Sequence, residues 1–126
     1  MTVTYCIIGA NGTFSILNYE NNLKVLWTVH SECDNIYIYT EQFSIESDYD
    51  WFHVDEERFS GYNLWEHYVV GNFTLVWFES DETNSDEGFI VHWQCVDTVP
   101  TTTVPTTVPT IGTSIENFIE KFEILF

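Results

Sequence analysis

Between Thr13 and Cys95 the sequence is cut into seven short apolar segments divided by polar turns. They run Thr13 to Leu17, Lys24 to Val29, Ile36 to Tyr39, Trp51 to Val54, His67 to Val70, Phe73 to Phe78 and Phe89 to Trp93. These read as strands. Ile36-Tyr37-Ile38-Tyr39 and Phe73-Thr74-Leu75-Val76-Trp77-Phe78 alternate in the β-branched and aromatic residues that suit a half-buried pleat. No stretch before residue 113 sustains a helical period. Strands of this length at a spacing of roughly 8 to 12 residues predict two antiparallel sheets packed face to face, with acidic loops at their ends. The expected class is an all-β sandwich. With 126 residues there is room for one such domain, which excludes a two-domain enzyme, and 10 Phe, 7 Tyr and 5 Trp supply more burial than a disordered chain carries.

After Asp97 the composition changes abruptly. Thr98 to Thr110 contains all three prolines, spaced by Thr and Val, and reads as an extended spacer or an O-glycosylated stalk. The chain therefore divides into a sandwich over 1–97, a Thr/Pro linker over 98–112 and an apolar segment over 113–126. In that last segment Thr113-Ser114-Ile115-Glu116 matches a capping box, and Ile115, Phe118, Ile119 and Phe122 share one helical face. Its end also reads as a strand, because Phe122, Ile124 and Phe126 alternate with Glu123 and Leu125, and such a strand pairs with a sheet edge in its own chain or another.

Against 20 Asp and Glu stand three cations, Lys24, Arg58 and Lys121, for a net charge of −17. That charge repels phosphate backbones, which excludes nucleic acid as a partner, and favours metal cations or basic protein segments, calcium first among them. No apolar run approaches the roughly 18 to 20 residues of a membrane span. The first residues lack a basic segment and an apolar signal core, so either a leader was removed before the numbering begins or the chain is not exported. Two sequons, at Asn11 and Asn72, favour export, and an extracellular or cell-surface location is expected. Three cysteines, Cys6, Cys33 and Cys95, permit at most one intrachain bridge.

A set of ordered motifs resembles the CUB domain, a calcium-associated extracellular β-sandwich. Asn11-Gly12-Thr13-Phe14-Ser15, then Asn18-Tyr19 and Trp27-Thr28-Val29, resemble the family's opening. Ile36, Ile38, Phe43, Ile45 and Glu46 resemble its next strand with an acidic end, followed by Tyr49-Asp50. Ser60-Gly61 fits a family turn, and Ser80-Asp81, Thr83-Asn84 and Gly88-Phe89 resemble the signature near its end. The resemblance covers residues 11–95 and implies a CUB-like jelly roll. The usual two-bridge cysteine framework is absent, since Val25 stands at one cysteine position and none precedes Gly61. Cys33 precedes one predicted strand and Cys95 ends another, which sets them level if those strands lie antiparallel, so a Cys33–Cys95 bridge is expected, with Cys6 free or available to another chain.

By the same resemblance, Glu46, Asp50 and Asp81 would hold one calcium ion, with Thr83 and Asn84 contributing nearby. Calcium takes six to eight oxygens, so three carboxylates, a loop carbonyl or two and water make a sensible shell. In the family the ion orders loops whose free carboxylate oxygens receive a partner's Lys or Arg, a charge-assisted contact. The family's additional loop Tyr has no match, Leu23 lying there. Solvated surface carboxylates are the alternative reading of the cluster.

Trp27, Trp77 and Trp93 lie in predicted strands and read as core, whereas Trp65, nearer a loop, is the candidate for stacking on a glycan. No nucleophile elbow, zinc-protease helix or phosphate loop is present, and a non-catalytic protein is expected. Two functional readings follow. In one, the spacer carries the apolar tail onto a neighbouring copy, building a structural assembly through Ile115, Phe118, Ile119, Phe122, Ile124 and Phe126. In the other, the calcium-ordered acidic end recognises a basic side chain of another extracellular protein.

Overall fold

The structure, a computed structural model, describes residues 2–100. Nine strands fill this span: β1 Thr2–Gly9, β2 Asn11–Leu17, β3 Lys24–Ser31, β4 Asn35–Ser44, β5 Trp51–Val54, β6 Glu57–Phe59, β7 Glu66–Val70, β8 Phe73–Glu79 and β9 Gly88–Val96. Among the described residues there is no helix. The strands form a five-stranded sheet in the order β1-β3-β8-β5-β6 and a four-stranded sheet in the order β2-β9-β4-β7. Every pairing is antiparallel except β1 with β3. The seven expected strands are all present, each extended by zero to six residues, and the two-sheet sandwich stands.

Strand alternation decides the core. Val25, Trp27 and Val29 of β3, Thr74, Val76 and Phe78 of β8, and Phe52 and Val54 of β5 face inward from one sheet. Phe14 of β2, Ile36, Ile38 and Phe43 of β4, and Phe89, Val91 and Trp93 of β9 meet them from the other. Aromatic rings close the middle: Phe52 and Phe89 lie 5.0 Å apart edge to face, and Phe14 sits 5.0 Å from Trp27. Pairs in such geometry add about 0.5–1.5 kcal/mol beyond the area they bury.

Two strands escape the sequence reading. β1 is a terminal strand with only Val3, Ile7 and Gly9 turned partly inward, and Tyr5 and Ile8 are exposed, so its apolar pattern is broken. β6 is three residues long and exists as the return of a hairpin with β5. The core assignment of the tryptophans is also corrected in part. Trp27 and Trp93 are buried, but Trp77 points to the outer face, where His53 stacks on it at 4.3 Å.

Cys33 and Cys95 are joined in a disulfide with a Cα separation of 5.1 Å, inside the range that a bridge spans. The antiparallel register of β4 on β9 pairs Ile36 with Cys95, and the turn before β4 carries Cys33 back over it. Cys6 is an exposed free thiol on β1. Only Thr98 to Pro100 of the linker are described, and the apolar tail residues Ile115, Phe118, Ile119, Phe122, Ile124 and Phe126 lie outside the described residues.

Candidate metal centre

Three connections gather at one end of the sandwich. Residues 18–23 join β2 to β3, residues 45–50 join β4 to β5, and residues 80–87 join β8 to β9. Asn18, Asn22, Asp48 and Asn84 take left-handed backbone conformations there, with φ between 53° and 69°. Asn and Asp tolerate that region better than other side-chain-bearing residues, which lets these loops turn tightly without glycine.

Glu46 and Asp50 come from the second connection and Asp81 from the third. One carboxylate oxygen from each lies within 4.8 Å of the other two. Asp50 is wholly buried, which a lone carboxylate resists, and its surroundings show how it is held. The Tyr19 hydroxyl donates to Asp50 Oδ2 at 2.5 Å, and the Asp81 backbone N–H donates to Asp50 Oδ1 at 2.9 Å. Tyr19 also accepts from the Glu46 backbone N–H at 3.0 Å, so one phenol ties the two acidic residues together. Ser60 braces the loop from the far side. Its hydroxyl reaches Glu46 O at 3.0 Å and Asp50 O at 2.9 Å and accepts from the Asp48 N–H at 2.8 Å. The Asn22 N–H of the first connection donates to Asp81 O of the third at 2.8 Å.

The electrostatics of this arrangement are unfavourable to bare charge. Burial raises the Glu46 carboxyl above its ordinary range; a hydrogen bond from Asn84 acts the other way, and the charges of Asp81 and Asp50 add to the rise. Burial likewise raises Asp50, against the hydrogen bonds from Tyr19 and the Asp81 backbone that lower it. The Tyr19 phenol is driven far above its ordinary value, first by burial and then by its bond to Asp50, so it stays a donor at any physiological pH. Glu46 Oε1 is buried and has no hydrogen-bond partner. An orphaned acceptor beside two further carboxylates is a costly feature unless a cation completes it.

The donor set suits calcium. Two oxygens at about 2.3–2.6 Å from one ion lie at most about 4.6–5.2 Å apart, and the observed cluster is within that spread. Hard oxygen donors without sulfur or imidazole match calcium or magnesium rather than zinc. Thr83 is exposed, and its backbone N–H bonds Asp81 Oδ1 at 3.1 Å. Asn84, also exposed, reaches Glu46 through its side chain. Tyr19 and Ser60 were quoted in the sequence only as parts of motifs, and nothing in their spacing announced that they organise the cluster.

Other candidates are dispersed. Asn11 opens β2 and Asn72 lies in the turn between β7 and β8, both exposed. Phe59 stacks flat on the ring of Trp65, the glycan candidate, at 3.8 Å, and Phe43 meets it edge-on at 5.5 Å. Phe59 covers that face, and Trp65 stays partly exposed.

No family model matches this chain, and no curated protein matches it in sequence. Solved structures do resemble it. The CUB1-EGF-CUB2 domains of rat MASP-1 superpose with a TM-score of 0.67 at 23% identity, covering 79% of this chain and 44% of that one. The CUB1-EGF-CUB2 domain of human MASP-1/3 gives 0.64 at 17% identity, covering 71% and 40%. The full extracellular region of zebrafish Gpr126/Adgrg6 gives 0.69 at 20% identity, covering 78% and 15%. This chain thus spans less than half the length of each. The fold is CUB-like and carries the Cys33–Cys95 disulfide.

Proposed function

We propose that this chain is an extracellular, non-catalytic protein-interaction module whose acidic end is ordered by calcium and takes a basic side chain of a protein partner. The observation that carries the reading is the convergence of Glu46, Asp50 and Asp81 oxygens within 4.8 Å, with Glu46 Oε1 buried and unpartnered. The structural likeness to the CUB-containing fragments of MASP-1, and to a chain described as a full extracellular region, supports the same setting. When bound, the ion supplies positive charge that cancels the repulsion among the three carboxylates and fixes two loops in one arrangement.

The chain's own residues define what those loops would offer. Tyr19 and Ser60 hold the Glu46–Asp50 backbone, leaving Asp81 toward the rim. Tyr49 and Tyr62 stand out there at 64% and 68% exposure, and Tyr62 hydrogen-bonds Asp86, whose carboxylate also accepts from Ser44 Oγ at 2.9 Å. Exposed tyrosines beside carboxylates suit an ammonium or guanidinium group, which gains a charge-assisted hydrogen bond and a ring to lie against. The test is Asp81→Ala in the full-length protein. Calcium affinity should fall at least about tenfold while the fold, read by near-ultraviolet circular dichroism, is kept; unchanged affinity removes the cluster from the site.

A second reading, self-assembly through the apolar tail, is favoured by a separate observation. β1 and β2 are terminal strands of the two sheets, and an apolar groove lies open between them. Light scattering of the full-length protein against an Ile124→Ser variant tests it: a large species reduced by the substitution supports assembly, and a monomer in both cases rejects it.

A further inference from the structure

The groove between β1 and β2 measures about 610 Å³ and is walled by Val3, Ile7, Ile16, Leu23, Val25 and Trp27. It exists because β1 and β2, joined only through Ala10, end different sheets and do not pair with each other. Val3, Ile7, Ile16 and Leu23 are left partly exposed, so apolar surface continues from the core to the outside. On either side of the groove a terminal strand offers backbone groups for an added strand.

We infer that this groove is the acceptor for Phe122–Phe126 of a second copy of the same chain, entering as an added strand; the inference rests on the assembly reading above. The alternation of that segment matches the opening. Phe122, Ile124 and Phe126 would fill the groove, while Glu123 and Leu125 face away. The path of the chain favours a second copy over the molecule's own tail. Cys95 N–H bonds Ala10 O at 2.7 Å beside the groove, but the chain then turns away. Asn35 Nδ2 holds Asp97 O at 2.9 Å, and Val99 and Pro100 lie against Glu66, His67 and Tyr68 of β7, the opposite edge of that sheet from β2. The described chain thus ends at the sheet edge opposite β2, away from the groove.

Cys6 lines the groove and supplies the test. Full-length protein retaining Cys6 is mixed with full-length protein carrying Cys6→Ser and Phe126→Cys, which places the tail cysteine on the groove-facing side, then oxidised gently. The expected product is a pair of chains linked between the Cys6 peptide and the tail peptide, identified by mass spectrometry. Ser15→Glu, at an exposed position of the groove wall, should weaken association about tenfold or more without unfolding the chain. Large species that survive Ser15→Glu and yield no such link overturn the groove while leaving assembly itself standing. A link formed within one chain, when Phe126→Cys is made with Cys6 retained, assigns the groove to the molecule's own tail and also overturns the inference. A monomer in every sample, unaffected by Ile124→Ser, rejects assembly and the acceptor together.

Discussion

Tyr19 is where one side chain decides the most. Its hydroxyl is the shared partner of the Asp50 carboxylate and the Glu46 backbone N–H, so Tyr19→Phe strips a donor and an acceptor from buried groups at once. We expect a loss of about 1–3 kcal/mol in urea unfolding and weaker calcium binding with it. The two raised carboxyls make a second prediction. Glu46 and Asp50 stand above their ordinary values in the folded protein, so their protonation favours folding. That contribution is complete below the ordinary carboxylate range and is lost as pH rises through the raised values. Metal-free protein should therefore lose stability between mildly acidic and neutral pH, with a shallower slope in Glu46→Gln. Calcium, which needs the ionised forms, should stabilise more as pH rises. Chemical denaturation over pH, in chelator and in calcium, measures both.

Among the elements, β9 carries the tightest constraint. Gly88 opens it at φ +103°, and a Cβ there would meet Ile16 O of β2 at 2.0 Å. Neither the backbone angle nor the neighbouring carbonyl leaves room, so Gly88→Ala should cost at least about 2 kcal/mol, read as a shift in urea midpoint. The Cys33–Cys95 bridge ties β9 to β4 across 62 residues of sequence, and Cys33→Ala with Cys95→Ala should cost about 2–5 kcal/mol by the same measurement. Strands with a clean inward and outward alternation, such as β4 and β8, were legible in the sequence because each buries one face on the core. β1 was not, since a terminal strand needs apolar residues only where it touches, and its tyrosine and isoleucine at positions 5 and 8 are exposed. The acidic cluster was legible only through the CUB resemblance. Loop carboxylates carry no periodicity, and the contacts that gather them come from Tyr19 and Ser60 on distant parts of the chain.

For the whole molecule, the net charge of −17 and the CUB-like fold set the terms. So much negative charge opposes close packing of the loops, and a divalent cation held by Glu46, Asp50 and Asp81 would act against that repulsion. The same surplus favours basic partners over nucleic acid or anionic surfaces. The most direct measurement is a calorimetric titration of calcium into metal-stripped full-length protein, repeated with Asp81→Ala. Binding of one ion per chain, with a thermal midpoint that rises in calcium and neither response retained by Asp81→Ala, is the result this account predicts. No heat of binding and an unmoved midpoint in the unsubstituted protein would contradict it.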